Sequence, residues 1–239
     1  KTMIDGKRVC VVMPAYNEIE TIDEIVSRVR AVPVDKEIII IDNCSTDGTR
    51  ERIEAMSFPE VRVILQERNM MKGNSVKRGI AAAQGDFIIV QDADLEYDPM
   101  DFIPLLQAAE AEDTFAVLGS RMLGMRAQGQ RLPIGIYSAG RNAINLFFVL
   151  LFGSRLTDIA TCYKLARREV FQAMTLRCES FDLDFELAAK FVKGARRSGK
   201  RVIEVPVKYY PRTVEEGKKI GWKDGIAALL TILRFRFTD

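Results

Sequence analysis

Residues 85–94 read GDFIIVQDAD, a short apolar run that ends in two carboxylates. Residues 87–91 are rich in branched side chains, which is typical of a buried strand. Asp92 and Asp94 follow, and a turn at the strand end can direct both into one cleft. Carboxylate oxygens suit Mg²⁺ or Mn²⁺, which bind through one or two carboxylates together with substrate phosphates. The stretch therefore predicts a strand that carries a metal site. The alternative is an acidic start to the helix after Asp98.

Apolar runs and helical patterns alternate on both sides of this strand. The predicted strands are residues 9–14, 37–42, 61–65, 87–91, 115–118 and 201–205. The predicted helices are residues 18–32, 46–56, 72–84, 138–152, 183–192 and 222–237. In the first half, the strand–helix–strand alternation predicts a parallel sheet with right-handed crossovers. Ligands of such sheets bind outside the carboxyl ends of the strands, so the segments that follow the strands form the candidate site.

Polar residues stand at two further strand ends. The first predicted strand is followed by Pro14, Ala15, Tyr16 and Glu18, and the second ends at Asp42 and Asn43. The Asp42 carboxylate can accept hydrogen bonds from a base or a ribose, while simple capping of the next helix by Ser45 or Thr46 is the alternative. Lys72 and Gly73 begin another helix, whose N-terminus favours phosphate; the alternative for Gly73 is an ordinary loop glycine.

The charge distribution divides the chain of 239 residues into two unequal halves. Residues 1–120 carry 13 Lys and Arg against 22 Asp and Glu, whereas residues 121–239 carry 22 against 11. One interpretation is an acidic, metal-binding half joined to a half that attracts an anionic substrate or a membrane surface. The other interpretation is two solvated surfaces of different charge.

The composition excludes several kinds of chemistry. The chain contains no histidine, which rules out histidine bases, histidine triads and histidine metal ligands. The four cysteines have no metal-like spacing, and a reducing cytoplasmic compartment suits them best. No Walker A or G-x-G-x-x-G motif is present, which argues against a dinucleotide-dependent dehydrogenase. No nucleic-acid partner is expected.

Taken in order, the motifs closely resemble those of family 2 glycosyltransferases of the GT-A fold. The early motifs are PAYNE at 14–18, DNCSTDGT at 42–49, Asn69 with Lys72-Gly73, and QDAD at 91–94. The later motifs are GSR at 119–121, Asp158 with TCYK at 161–164, EVPV at 204–207, and Arg212 with EGKKI at 216–220. The later set resembles the polyprenyl-phosphate sugar synthase branch, which includes dolichol-phosphate mannose and glucose synthases. The resemblance implies a Rossmann-like, mostly parallel sheet flanked by helices, with a C-terminal acceptor-side portion. It also implies a single domain, 1–239, in which 1–120 is the nucleotide-sugar and metal half and 121–239 is the acceptor half.

The resemblance also implies roles for residues of the donor side. The implied nucleotide-binding residues are Pro14, Ala15, Tyr16, Glu18, Asp42, Asn43, Lys72 and Asp92. Asp94 is expected to hold Mg²⁺ or Mn²⁺ across the diphosphate, with Asp92 and Glu96 as further metal ligands. Glu96 stands where the family often has glutamine, so it either strengthens metal binding or faces solvent.

On the acceptor side, the resemblance places Arg121 near the acceptor phosphate, with Arg141 as a weaker candidate; the alternative for Arg121 is a surface salt bridge. Asp158 is expected to act as a general base for a hydroxyl acceptor, or only to orient groups if the acceptor is a phosphate. Together with Asp94, Asp158 and Arg121 are the expected catalytic residues. Tyr163, Lys164 and Glu186 are candidates for contacts with the sugar or the acceptor. Arg212, Lys218 and Lys219 are expected to clamp phosphates in a closing loop or to lie in a solvated basic loop.

The expected activity is inverting transfer of a sugar from a UDP- or GDP-linked donor to a polyprenyl or dolichyl phosphate. The alternatives are transfer to a soluble or glycan hydroxyl and a non-catalytic nucleotide-sugar-binding module. No stretch reaches the roughly 18 apolar residues that span a bilayer. Residues 146–152 belong either to the core or to a membrane interface, and residues 226–237 suit the same interface. We expect peripheral attachment at the cytoplasmic face of a membrane.

Overall fold

The computed structural model describes residues 6–130, 136–212 and 222–238. Strands of both halves of the chain form one sheet of order β3-β2-β1-β4-β6-β5-β7. The strands are β1 (Val9–Ala15), β2 (Lys36–Asp42), β3 (Val61–Leu65), β4 (Phe87–Val90), β5 (Thr114–Ser120), β6 (Lys164–Arg167) and β7 (Arg201–Pro206). The helices are α1 (Ile22–Ala31), α2 (Thr49–Glu54), α3 (Met71–Ala82), α4 (Phe102–Ala109), α5 (Arg121–Ala127), α6 (Ile136–Phe152), α7 (Arg168–Gln172), α8 (Leu183–Arg197) and α9 (Trp222–Phe237).

The first four strands form the parallel part of the sheet that the sequence predicts. β1 lies between β2 and β4, and β3 pairs with β2, all in parallel. All residues of β1 and β4 are buried, as expected for strands with helices packed on both faces. Parallel strands end at the same edge, so the segments after β1, β2 and β4 meet there.

Two helices begin later than their sequence patterns predict. α1 begins at Ile22 rather than residue 18, and α2 begins at Thr49 rather than residue 46. Gly48 lies inside the second predicted helix and has a positive φ angle, which the interior of a right-handed helix does not accommodate. Asn17 and Cys44, in the loops that follow β1 and β2, have positive φ angles as well. The residues before each helix are loop residues at the edge where the strands end.

The antiparallel strand β6 was not predicted. It lies between β4 and β5 and runs antiparallel to both, while β5 and β7 are parallel. Its sequence, KLAR, has charged residues at both ends and no apolar run. Its two neighbours supply the hydrogen bonds and the buried surroundings that make it a strand.

Helices α6 and α9 pack against each other, and α8 also contacts α9. The inner side of this group is apolar, since Phe148, Phe152, Ile232 and Phe235 are buried there. Within the described ranges, none of the helices is both long and apolar enough to cross a bilayer.

Candidate active site

A cavity of about 310 Å³ opens at the carboxyl ends of the parallel strands. The predicted site residues that line it are Pro14, Ala15, Tyr16, Glu18, Asn43, Lys72, Asp92, Asp94, Glu96, Arg121 and Arg212. The expectation that the segments after the first, second and fourth strands meet at one edge is therefore confirmed. The cavity has the size and the position of a small-molecule site in an α/β sheet.

Three carboxylates surround the guanidinium of Arg212 at one side of the cavity. Arg212 Nη2 lies 2.6 Å from Asp94 Oδ2, and Nη1 lies 3.0 Å from Glu18 Oε2. The backbone N–H of Arg212 donates to Glu96 Oε1 at 2.9 Å. Burial and then the charge of Asp92 raise the pKa of Asp94 to about 7, although the Arg212 charge opposes the shift. This group of residues strongly favours a positive charge at its centre.

The carboxylates around Arg212 suit a cation that also binds a phosphate-bearing ligand. In the part of the chain that the structure describes, no three His, Cys, Asp or Glu residues form a metal cage of their own. Mg²⁺ and Mn²⁺ commonly need fewer protein ligands, because phosphates and water complete their coordination. Asp94, with Glu18 and Glu96 beside it, can hold such an ion. Glu18 was predicted only as a nucleotide-binding residue.

Asp92 belongs to a separate chain of alternating charges. Lys72 Nζ lies 2.8 Å from Asp92 Oδ1 and 3.8 Å from Asp184 Oδ2, and Lys164 Nζ lies 2.9 Å from Asp184 Oδ1. Burial would raise the pKa of Asp92, but the charge and the hydrogen bond of Lys72 lower it. The geometry thus separates the two aspartates of the motif. Asp94 pairs with Arg212, and Asp92 pairs with Lys72.

Two residues predicted to contact the sugar or the acceptor lie beneath the cavity instead. Lys164 is fully buried, and besides Asp184 its Nζ donates to the carbonyl oxygen of Thr161. Tyr163 is also buried, and its hydroxyl donates to Gln91 Oε1 at 2.8 Å. Neither lines the cavity. The expectation for both residues is corrected: Tyr163, directly before β6, and Lys164, the first residue of β6, are buried in the protein and do not reach the cavity.

Arg121, at the start of α5, forms a buried ion pair with Asp158. Its Nε and Nη2 each donate to a different Asp158 carboxylate oxygen at 2.7 Å, and its backbone N–H donates at 3.0 Å. Asp158 is 1% exposed, whereas Arg121 reaches the cavity wall. Burial would raise the pKa of Asp158, but Arg121 lowers it below the ordinary value. The arrangement does not support a general-base role for Asp158, because its oxygens are occupied and it does not line the cavity.

Arg141 does not line the cavity either. Its Nε is buried without a hydrogen-bond partner, and its Nη2 contacts Asn142 Oδ1 at 3.4 Å. Burial and the nearby Arg121 charge lower its pKa. The role of Arg141 as a phosphate ligand stays a prediction. Lys218 and Lys219 lie outside the described residues.

The strand-end residues Asp42 and Asn43 have different positions. Asp42 is fully buried, its carboxylate accepts the N–H groups of Cys44 and Ser45, and it does not line the cavity. Asn43 does line it, and its Nδ2 donates to Asn69 Oδ1 at 2.9 Å. The structure thus brings Asn43, and not Asp42, to the cavity wall. The sequence pattern placed both residues at the strand end but could not tell which one faces the cavity.

Gly73 allows a close packing contact rather than a ligand contact. A Cβ atom at this position would lie 2.6 Å from the Glu179 carbonyl carbon. The start of α3 is thus pressed against residues 179 and 180. The missing side chain serves this contact between two segments of the chain.

Several cavity residues were not predicted. They are Asn69, Met71, Ser75, Tyr97, Ala160, Cys162, Phe181, Asp184 and Tyr209, together with Ala93 of the acidic motif. Asp184 stands out because it is acidic and lies in the first turn of α8. The predicted candidate on that helix, Glu186, is fully buried and accepts the N–H groups of Arg177 and Cys178. Helix periodicity shows that the two residues face different directions, but it does not show which one faces the cavity.

Comparison with proteins of known sequence supports the motif-based resemblance. "Glycosyltransferase AglJ" of Haloferax volcanii is 32% identical over 85% of this chain and 63% of its own length. "Undecaprenyl-phosphate mannosyltransferase" of Micrococcus luteus is 29% identical over 90% of this chain and 88% of its own length. "Dolichol-phosphate mannosyltransferase" of Pyrococcus furiosus is 29% identical over 90% of this chain and 60% of its own length. The chain thus spans less than two thirds of two of these relatives.

The fold comparison agrees with the predicted class. The crystal structure of glucosyl-3-phosphoglycerate synthase from Mycobacterium tuberculosis, in complex with Mn²⁺, UDP and phosphoglyceric acid, matches with a TM-score of 0.71. The match covers 98% of this chain and 80% of that chain at 20% identity, so the likeness concerns the fold alone. The expectation of a GT-A, mostly parallel sheet flanked by helices is confirmed. The sequence profile described as "Glycosyl transferase family 2" matches residues 10–175, which is more than half of the chain. The protein therefore belongs to glycosyl transferase family 2.

Proposed function

We propose that this protein transfers a sugar, with inversion, from a nucleotide sugar to a polyprenyl phosphate of the undecaprenyl or dolichyl type. The observation that carries the proposal is that Asp94 and Arg121 line the same cavity. One residue suits the donor diphosphate with its metal, and the other suits a second phosphate. The names of the Micrococcus and Pyrococcus relatives support the same class of acceptor.

The donor is proposed to bind along the ends of the parallel strands. Pro14, Tyr16 and Asn43 line the cavity together with Lys72 and Asp92, and in this proposal they contact the nucleoside. Asp94, with either Glu18 or Glu96 beside it, would hold Mg²⁺ or Mn²⁺, and phosphate oxygens and water would supply the remaining ligands. When bound, such an ion supplies Lewis-acid neutralisation of the charge on the departing nucleoside diphosphate.

The ion pair between Asp158 and Arg121 bears on which kind of acceptor the protein uses. A phosphate monoester is largely ionised near neutral pH and can attack the anomeric carbon without a base. The new bond forms as the carbon–oxygen bond to the nucleoside diphosphate breaks, and direct displacement inverts the anomeric centre. A hydroxyl acceptor would need a base. The pairing of Asp158 with Arg121 therefore favours the phosphate acceptor over the soluble or glycan hydroxyl.

A radiolabel assay tests this function directly. The protein is incubated with labelled UDP- and GDP-sugars, Mn²⁺ or Mg²⁺, and a polyprenyl phosphate, and the organic phase is counted. We expect a lipid-soluble product with at least one donor. Label that passes only to a soluble acceptor would support the hydroxyl alternative. No transfer with any donor, despite nucleotide binding, would support the non-catalytic module.

Membrane attachment is proposed to involve α6 and α9. Leu146 and Leu150 of α6 are exposed, and Ile226, Leu230 and Phe237 of α9 are exposed as well. The spacing within each helix puts these side chains on one face. Arg234 and Arg236 in the last turn of α9 suit anionic lipid headgroups. This arrangement suits peripheral attachment at the cytoplasmic face of a membrane.

Leu230→Glu is expected to weaken binding to anionic vesicles at least about tenfold, because inserting a leucine contributes about 1.5–3 kcal/mol. Co-sedimentation with phosphatidylglycerol vesicles measures the effect. Met100→Glu is the control, since Met100 is an exposed apolar residue outside α6 and α9. Equal binding by wild type and Leu230→Glu would contradict the attachment through α9.

Arg212→Ala is expected to tighten Mn²⁺ binding roughly tenfold when no nucleotide is present, because the guanidinium no longer competes for Asp94 and Glu18. With nucleoside diphosphate present, we expect the two proteins to bind Mn²⁺ equally well. In the wild type, Arg212 can then bind phosphate and no longer competes with the ion for the carboxylates. Calorimetric Mn²⁺ titrations at mildly alkaline pH measure both effects. Lys208→Ala, which removes a nearby ion pair with Asp98, is the control. Unchanged Mn²⁺ affinity without nucleotide would contradict the competition.

A further inference from the structure

The Glu204 carboxylate, on β7, binds the loop that carries Asp158. Its Oε1 accepts the backbone N–H groups of Thr157 and Asp158 at 2.9 Å each, and its Oε2 accepts the Thr157 N–H at 2.8 Å. The Thr157 hydroxyl donates to Oε2 at 3.0 Å. Hydrogen bonds to a charged acceptor are stronger than neutral ones. Glu204 therefore holds the backbone of Asp158 in place, and with it the position of the Asp158 carboxylate.

The same loop is tied to the start of α5 through two hydroxyl groups. Thr157 Oγ1 and Ser120 Oγ lie 2.7 Å apart, and Ser120 Oγ accepts the N–H of Leu123 as the N-cap of α5. A hydroxyl has a single proton to donate. Because Thr157 donates its proton to Glu204, Ser120 donates to Thr157. The chain of donors thus begins at α5 and ends on the Glu204 carboxylate.

Arg121 lies between these two connections. Ser120 precedes it and caps its helix, while Asp158 accepts both its guanidinium and its backbone N–H. Glu204 itself does not line the cavity. A change at Glu204 therefore reaches the cavity through the backbone and side chain of Arg121.

We propose that Glu204 is a positioning residue for the acceptor phosphate, because through Thr157 and Asp158 it sets the orientation in which Arg121 faces the cavity. The inference rests on the proposed function, in which Arg121 binds that phosphate. The N–H groups of a guanidinium form a planar fork, so they bind phosphate well only in a defined orientation. Loss of this orientation weakens acceptor binding and leaves the donor residues in place.

Glu204→Gln tests the proposal, because glutamine keeps the size but turns an NH₂ group towards backbone N–H donors. Glu37→Gln is the matched control. Glu37 is a buried glutamate at the amino end of β2, and it also accepts two successive backbone N–H groups, those of Gln84 and Gly85, at 2.6 Å each. We expect both variants to lower the melting temperature. Only Glu204→Gln should raise the KM for polyprenyl phosphate, about tenfold, with kcat and the donor KM near those of wild type.

Substitutions at Thr157 test the same chain with a smaller perturbation. Thr157→Val removes the hydroxyl that joins Ser120 to Glu204, whereas Thr157→Ser keeps it. We expect valine to raise the acceptor KM and serine to restore it. An equal acceptor KM in both variants would count against the proposal, and this comparison remains informative if Glu204→Gln does not fold.

The NMR signal of the Arg121 Nε–H group, assigned with Arg121→Lys, reports orientation without any assay of activity. We expect this signal to shift in Glu204→Gln and to stay in place in Glu37→Gln. An unchanged signal in Glu204→Gln overturns the positioning role of Glu204. An equal rise of the acceptor KM in Glu204→Gln and Glu37→Gln overturns it as well. If wild-type protein transfers no sugar to polyprenyl phosphate, the proposed function fails instead, and the NMR comparison still decides the role of Glu204.

Discussion

Asp94→Asn is expected to lower kcat about 10²–10³-fold, the size of effect seen when one group that stabilises transition-state charge is removed. Asp94 is the carboxylate closest to the Arg212 guanidinium, at 2.6 Å, in the part of the cavity that suits a cation. Asparagine keeps the shape but removes the negative charge. The donor KM should rise less than kcat falls, because the charge on the leaving group grows as the donor bond breaks.

The matched control is Asp86→Asn. Asp86 directly precedes β4 and Asp94 lies beyond its other end, so both changes neutralise an aspartate beside the same strand. Asp86 is exposed and accepts the Arg8 N–H at 2.8 Å, far from the cavity. Steady-state transfer rates and Mn²⁺ titrations should separate the two variants. If Asp94→Asn kept near-normal kcat and normal Mn²⁺ affinity, the metal would have to be held elsewhere.

Arg121→Lys is expected to lower kcat/KM for the polyprenyl phosphate roughly 10- to 100-fold, because lysine keeps the charge and loses the planar fork. In the structure, two guanidinium nitrogens of Arg121 bind Asp158, and the residue also faces the cavity. Lysine cannot make both contacts at once. The donor KM should stay close to that of wild type, since the donor residues lie on other segments. Initial rates at varied acceptor concentration give the result.

Arg50→Lys is the control for this change. Arg50 is a partly buried arginine whose Nε lies 3.7 Å from the fully buried Asp42, and it does not line the cavity.

Asp158→Asn distinguishes two roles of Asp158, the positioning of Arg121 and the action of a general base. If Asp158 positions Arg121, Asp158→Asn raises the acceptor KM, as Arg121→Lys does. Near-total loss of kcat with normal acceptor binding would instead favour the base role and a hydroxyl acceptor.

The parallel part of the fold could be predicted because its signals are local. Four apolar runs separated by helical patterns are sufficient to indicate strands whose carboxyl ends meet. β6 could not be predicted in this way, because KLAR has no strand pattern of its own. Its conformation depends on hydrogen bonds with β4 and β5, which belong to distant parts of the sequence.

The same difference applies within the site. The motifs identify Asp94, Arg121 and Lys72 as candidates, since each follows or begins a predicted element. They do not indicate that Asp158 pairs with Arg121, or that Lys164 points away from the cavity. Partners 37 residues apart, such as Arg121 and Asp158, meet only when β5, β7 and the loop before β6 are packed together.

Residues 85–94 illustrate this division. A buried strand that ends in two carboxylates can be recognised from the sequence, because apolar periodicity and residue type are local properties. The folded chain is needed to show that Asp92 pairs with Lys72, while Asp94 and Glu18 both pair with Arg212. This is so because the pairing of a charge depends on distance in space. Lys72, Glu18 and Arg212 come from three separate segments, and their positions relative to the two aspartates are set by packing.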